Sequence, residues 1–131
     1  LACDLATTPL TELMGDRRAH AICAEGLVGY LRHPHIITLA TSLRECLHPG
    51  GVFITDLGLL EGVKKIEEVA RFFSRQAGSW YGTADDINQA QQLMTDSGFS
   101  KVEAYLPNEF IGQIDLPEPI LDISCFLRSM R

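Results

Sequence analysis

IITLATSLRECLHPGGVFITD, residues 36–56, decides how the rest of the chain is read. Ile37, Ala40, Leu43 and Leu47 recur at helical spacing while Arg44 and Glu45 fall off that stripe, so the spacing predicts a helix with one packing face. Pro49 cannot continue it, and Gly50 or Gly51 can take the positive-φ conformation that closes a helix end. Val52, Phe53, Ile54 and Thr55 then form a β-branched and aromatic run, too short for a helix and too apolar for a strand with a wet face. An inner strand is expected there. Asp56 sits just beyond it, at the carboxyl end, where ligands bind in open α/β sheets.

Working outward, Ala19 to Ala24 is a second apolar run, interrupted only by His20 and ended by Glu25 and Gly26. It reads as another inner strand. Leu27 to Leu31 is an apolar loop or short helix that Pro34 breaks. Strand, helix and strand within about forty residues make a parallel βαβ unit, because parallel neighbours need a crossover connection. At the start, Asp4 follows a short apolar segment and precedes Thr7, Thr8 and Pro9, at a change from strand to loop. Pro9 to Met14 is a single helical turn ended by Gly15 and Asp16.

Downstream, Val63, Ile66, Val69, Ala70 and Phe73 predict a helix from Glu61 to Gln76. Glu61 with Lys65, Lys64 with Glu68, and Glu67 with Arg71 place opposite charges four residues apart on its solvated side. Ala77 to Gly82 holds Trp80 and Tyr81 between glycines, rings that either pack on the sheet or close over a pocket. Thr83 is expected to start the next helix, with Asp85 and Asp86 in its first turn, Ile87, Ala90, Leu93 and Met94 as its stripe, and Gly98 as its stop. Phe99 to Leu106 reads as a strand, Pro107, Pro117 and Pro119 bracket a loop, and Ile120 to Leu127 closes the chain as a strand. The connection between these strands is too short for a crossover helix, so an antiparallel pair is expected at the sheet edge.

At 131 residues the chain is one domain by size, and a hydrophobic fraction of 46% supports a folded core. A net charge of -6 without a basic cluster disfavours nucleic acid as a partner, since phosphate binding draws on Lys and Arg. No apolar run reaches the roughly 20 residues of a membrane span and no charged-then-apolar leader opens the sequence, so no membrane partner and a cytoplasmic location are expected. Cys3, Cys23, Cys46 and Cys125 include no CxxC pair and read as reduced, mostly buried thiols. His33 and His35 flank Pro34 and fit a turn better than a metal site, and His20 and His48 stand alone. No metal is expected.

The order of these elements, with LRECLHPGGVFITD after AHAICAEGLVGYL, resembles the carboxyl-terminal part of class I S-adenosylmethionine-dependent methyltransferases. Leu47, Pro49, Gly50 and Gly51 match the Leu-x-Pro-Gly-Gly that commonly precedes that family's fifth strand. MTDSGFSKVEAY resembles its last helix, Gly-Phe element and sixth strand, and the final strand resembles its antiparallel seventh. The fold the resemblance implies is α/β: a Rossmann-like partial sheet of parallel strands with an antiparallel carboxyl-terminal edge pair and helices on both faces, as one domain over 1–131.

The family's glycine-rich cofactor loop has no counterpart here, as no GxG occurs in the sequence. The acidic residue that ends the family's second strand is not identifiable either. Carried over by position, Asp4 and Leu5 match the end of the third strand, near the adenine edge, against the alternative of a turn-forming aspartate. Ala24, Glu25 and Gly26 match the loop after the fourth strand, which in the family borders both cofactor and methyl acceptor, and Tyr30 lines its edge, so these four are the candidate cofactor contacts; capping by Glu25 and packing by Tyr30 are the structural alternatives. Asp56 and Leu57 match the end of the fifth strand, and with Trp80 and Tyr81 they are the candidate substrate contacts. Methyl transfer is a direct displacement that proximity and orientation can accelerate without a nucleophilic side chain. Glu25, His33 and Tyr81 are the weak candidates for a base.

The resemblance implies S-adenosylmethionine as cofactor and a small-molecule or carrier-bound methyl acceptor, with part of the cofactor site outside this chain. The alternative is a noncatalytic module used for dimerisation or partner binding. Ala19 to Ala24 would be an apolar edge without the lysines or prolines that blunt such edges. Pairing along it, with missing residues of a parent protein or with another copy of the chain as a homodimer, is therefore expected.

Overall fold

A computed structural model describes residues 4, 5, 7–77, 79–115 and 120–131. Its elements are α1 (Leu10–Met14), β1 (Ala19–Ala24), α2 (His33–Glu45), β2 (Leu47–Gly58), α3 (Leu60–Lys65), α4 (Glu67–Ala77), α5 (Ile87–Asp96), β3 (Lys101–Tyr105) and β4 (Ser124–Met130), with 3-10 turns at Val28–Tyr30 and Pro107–Phe110. The four strands form one sheet in the order β1-β2-β4-β3. β1 runs parallel to β2, while β4 is antiparallel to both β2 and β3. The expected parallel pair joined by a helix is present, and so is the antiparallel pair at the sheet's far edge.

The Pro-Gly-Gly turn works differently from the expectation. Cys46 closes α2, and its N–H donates to the carbonyls of Ser42 and Leu43. Leu47, expected on the helix stripe, is instead the first residue of β2 and fully buried. Ala19 pairs with Leu47 and Ala21 with Val52, so β1 advances two residues while β2 advances five. The residues between form a bulge: Pro49 has no N–H to contribute to the ladder, and Gly50 takes φ +76°. The buried stripe of α2 is correspondingly Ile36, Leu39, Ala40 and Leu43, with Ile37 only half-buried.

β2 does not end at Thr55 but runs through Asp56 to Gly58, paired with Phe126, Cys125 and Ser124. It is an inner strand, yet its two faces differ. Phe53, Thr55 and Leu57 are buried beside Leu127 and Cys125 in a core closed by α2 and α5. On the other face Ile54 is 39% and Phe126 38% exposed. The apolar run therefore does not exclude water from both sides. Among the described residues the helices that pack closely on the sheet, α2 and α5, lie on the core side, and the opposite face carries the 3-10 turn, whose Phe110 ring lies 6.1 Å from both Tyr105 and Phe126.

Other boundaries move for local reasons. The helix expected over Glu61 to Gln76 is two helices broken at Ile66, where φ −115° and ψ 28° leave the α-helical region. The break replaces two of the expected charge pairs: Lys64 meets Glu61 at 2.7 Å, while Glu67 and Arg71 keep theirs at 3.7 Å. Thr83 does not start α5; Asp86 does, its carboxylate accepting from the Gln89 N–H at 2.8 Å. Thr83 belongs to an extended segment instead, next to Ala84, which bridges Leu59 in parallel. β4 starts four residues later than expected from Ile120, and the loop residues Pro117 and Pro119 lie outside the described residues.

β1 is an edge strand, paired only with β2 among the described residues, and His20, Ala21 and Cys23 are exposed along it. Cys46 and Cys125 are buried as expected of thiols that pack as small hydrophobes, whereas Cys23 is exposed and Cys3 lies outside the described residues. Burial raises the Cys125 thiol to about 11, and burial also raises that of Cys46. No described helix is long and apolar enough to cross a membrane.

Candidate functional site

The two parallel strands end side by side, and the loops that leave them meet at that end. β1 gives way to Glu25 and Gly26, and Gly26 adopts φ +61°, a conformation that side chains disfavour. Its N–H donates to Asp56 Oδ1 at 2.7 Å. One residue earlier on β2, the Thr55 hydroxyl donates to the Ala24 carbonyl at 2.8 Å. The loop is thus fixed to β2 by a charged and a neutral hydrogen bond.

A third wall comes from much farther along the chain. The N–H groups of Tyr81 and Gly82 both donate to the Gly29 carbonyl at 3.0 Å, and the Ala84 N–H donates to Gly58 at 2.8 Å. His33 Nε2 lies 2.8 Å from the Thr83 carbonyl, which can only accept, so that nitrogen carries the proton and only Nδ1 is left to take one up. Gly82 must be glycine for this approach: a Cβ there would stand 2.5 and 2.7 Å from the carbonyl oxygens of Val28 and Leu31.

Between these walls is a cleft of about 160 Å³ lined by ten residues, among them Gly26, Tyr30, Asp56 and Trp80. Four of the residues expected at a site from sequence are therefore brought together at the carboxyl end of the parallel pair. The others are placed elsewhere. Leu57 points into the core at 1% exposure, and its side chain does not line the cleft. Ala24 contributes its carbonyl to Thr55, while Glu25 is exposed and outside the lining. Tyr81 is half exposed, with the Arg32 guanidinium 4.6 Å above its ring. Leu5 lines a separate depression with Thr8, Thr38 and Ser42, and the Asp4 carbonyl closes a turn by accepting from Thr7 and Thr8.

Gly29, Gly58, Val63, Thr83, Ile123 and Ser124 also line the cleft and were not expected there. A glycine at a strand end is a visible signal for Gly58, whereas Gly29 lies inside the 3-10 turn Val28–Tyr30. Ile123 and Ser124 arrive through the register of β4, where Ser124 pairs with Gly58, and local sequence carries no sign of that.

The cleft is below the roughly 300–1,000 Å³ usual for drug-sized ligands. It does not enclose a molecule the size of S-adenosylmethionine with the described residues alone. No group of three or more His, Cys, Asp or Glu side chains gathers among the described residues.

No family model matches the sequence, and no curated protein matches it. Solved structures do match its fold. A protein of Nostoc punctiforme assigned as an O-methyltransferase superposes on all of the chain with a TM-score of 0.65 at 10% identity, over 36% of its own length. An O-methyltransferase family protein of Burkholderia thailandensis gives 0.62 at 10%, over 100% of this chain and 35% of that one. Human N-acetylserotonin methyltransferase, solved with S-adenosylmethionine, gives 0.63 at 12%, over 100% and 33%. The chain has the α/β fold of S-adenosylmethionine-dependent methyltransferases, and it spans about a third of the length of these structures. The sequence resemblance is thereby borne out at the level of fold.

Proposed function

We propose that this chain is the carboxyl-terminal part of an S-adenosylmethionine-dependent methyltransferase and supplies the acceptor side of its active site. The observation that carries this reading is the cleft at the carboxyl ends of β1 and β2, in a chain that superposes over its whole length on a solved structure assigned as an O-methyltransferase. Gly26, Tyr30, Asp56 and Trp80 border the bound acceptor, a small molecule or a carrier-bound metabolite. Asp4, Leu5, Ala24 and Glu25 face the cofactor, which residues outside this chain hold in larger part. The exposed edge of β1 pairs with those residues, or with a second copy when they are absent.

S-adenosylmethionine supplies the methyl group when bound, and the part of this chain is to position the acceptor and limit water around it. The test is thermal unfolding of the longer protein with and without S-adenosylhomocysteine. A ligand that binds only the folded state raises the unfolding temperature with concentration. A rise that grows with the logarithm of ligand concentration supports the reading, and no rise at any concentration overturns it in favour of a noncatalytic module.

A further inference from the structure

We infer that the amino-terminal rim of the parallel strands, at the end opposite the cleft, binds a small anion carrying two or more phosphate groups, gripped by the guanidiniums of Arg18 and Arg131. The two arginines lie far apart in the sequence. Arg18 precedes the first residue of β1, and Arg131 follows the last residue of β4. The sheet brings them to one place. Ala19 pairs with Leu47, the Ala19 N–H donates to the Cys46 carbonyl at 2.9 Å, and Arg131 Nη1 donates to the Leu47 carbonyl.

Both guanidiniums are fixed in the same way. Arg18 holds Nη1 at 2.9 Å from the carbonyls of Gly15 and Arg17, and Arg131 sets its Nη1 on those of Glu45 and Leu47. In each, one nitrogen carries every hydrogen bond to the described residues, so the edge formed by Nε and Nη2 is left over. That edge is the fork that matches two oxygens of a phosphate group. Arg17 is the contrast, since its Nε and Nη2 are the atoms that donate, to the carbonyls of Met14 and Leu13.

The charge at this rim is uncompensated. Lys64, Arg71, Lys101 and Arg128 pair with carboxylates, whereas among the described residues no carboxylate pairs with Arg18 or Arg131. Burial raises the Cys46 thiol and Arg18 and Arg131 both act against that rise, so the two charges share the field of one sulfur, with Glu45 as the opposing acid. The rings of His20 and His48 stack at 4.5 Å on the same edge and add N–H donors. A small anion suits the rim better than a nucleic acid, because a long polyanion would also meet the excess of 17 acidic over 11 basic side chains.

The experiment adds pyrophosphate to the isotope-labelled chain, follows the arginine Nε–H resonances by NMR and measures the affinity by calorimetry. Saturable shifts at Arg18 and Arg131, with Arg17 unmoved, are expected. Arg18→Lys and Arg131→Lys keep the charge and lose the fork, so each should weaken pyrophosphate about tenfold or more, the usual worth of a charged hydrogen bond, while Arg17→Lys leaves it unchanged. ADP distinguishes the sources of the diphosphate: tighter binding than pyrophosphate supports a nucleotide, and equal or weaker binding supports a free diphosphate.

Lysine variants at 18 and 131 that bind as the parent does, an equal loss in Arg17→Lys, or no saturable shift at Arg18 and Arg131 would each overturn the assignment. The resonances are read on the unaltered chain, so the test stands even where a variant fails to fold.

Discussion

The Gly26 N–H and the Asp56 carboxylate, thirty residues apart in sequence, meet at 2.7 Å and join the ends of the two parallel strands. Through this bond the shape of the cleft depends on a residue that also lines it. Asp56→Ala should lose about 1–2 kcal/mol, below the roughly 1.5–3 kcal/mol of fully buried charged hydrogen bonds because the site is partly solvated. Gly26→Ala should lose about 1–2 kcal/mol for a different reason, the left-handed conformation it must keep. Urea unfolding of the two single variants and the double variant measures both costs; strict additivity would show that the bond and the conformation are independent.

Gly82→Ala tests the third wall. A side chain there meets the Val28 and Leu31 carbonyls and the Ile36 side chain, so Ser79 to Ala84 must move outward. A loss of about 1–3 kcal/mol is expected for such overpacking. The Trp80 emission should shift to the red as its ring leaves the cleft, and an unshifted spectrum would contradict the placement of this segment.

Leu57 separates a structural from a ligand-contact role at the end of β2. Its side chain is buried against the helix layer, so Leu57→Ala should cost about 2–5 kcal/mol in urea unfolding. A change below 1 kcal/mol, or so, would place it at the surface instead.

Glu103 accepts from Lys101 and Arg128, both at 2.6 Å, and these partners hold its carboxyl near 2, well below the ordinary glutamate value. A depressed carboxylate contributes stability above its unfolded-state pKa and loses it as pH falls towards its folded one. Glu103→Gln should therefore be less stable than the parent at neutral pH, with the difference shrinking between about pH 4.5 and 2. Denaturant midpoints across that range provide the check, and a difference independent of pH would contradict it.

Thiol accessibility should follow burial. Cys23 should react with a maleimide in the native chain, and Cys46 and Cys125 only after denaturation, because the latter two are buried with thiols held in the protonated form. Peptide mapping identifies the labelled positions.

Much of this fold is legible locally. β1 coincides with the apolar run Ala19 to Ala24, α1 ends at Gly15 as expected, and α5 stops before Gly98, because in each case the signal lies within a few residues. The Pro-Gly-Gly turn misleads because Leu47 fits both the helix stripe and the strand. Pairing with Ala19 chooses the strand. Similarly, Ile54 looks like a core residue from sequence, since nothing local says which sheet face α2 and α5 cover. Of the site, Asp56 is readable as a strand-end residue and Trp80 as a ring between glycines, while Gly26 and Tyr30 come from the resemblance to the family's loop after its fourth strand. Ile123 and Ser124 are not readable, as only the β2–β4 register brings them there.

The most direct test of the account is calorimetric titration of S-adenosylmethionine into the 131-residue chain and, side by side, into the longer methyltransferase of which we propose it is the carboxyl-terminal part. The account predicts saturable one-to-one binding by the longer protein and much weaker or no binding by the chain, whose cleft is too small to enclose the cofactor. Failure of the longer protein to bind, or equal binding by both, would contradict it.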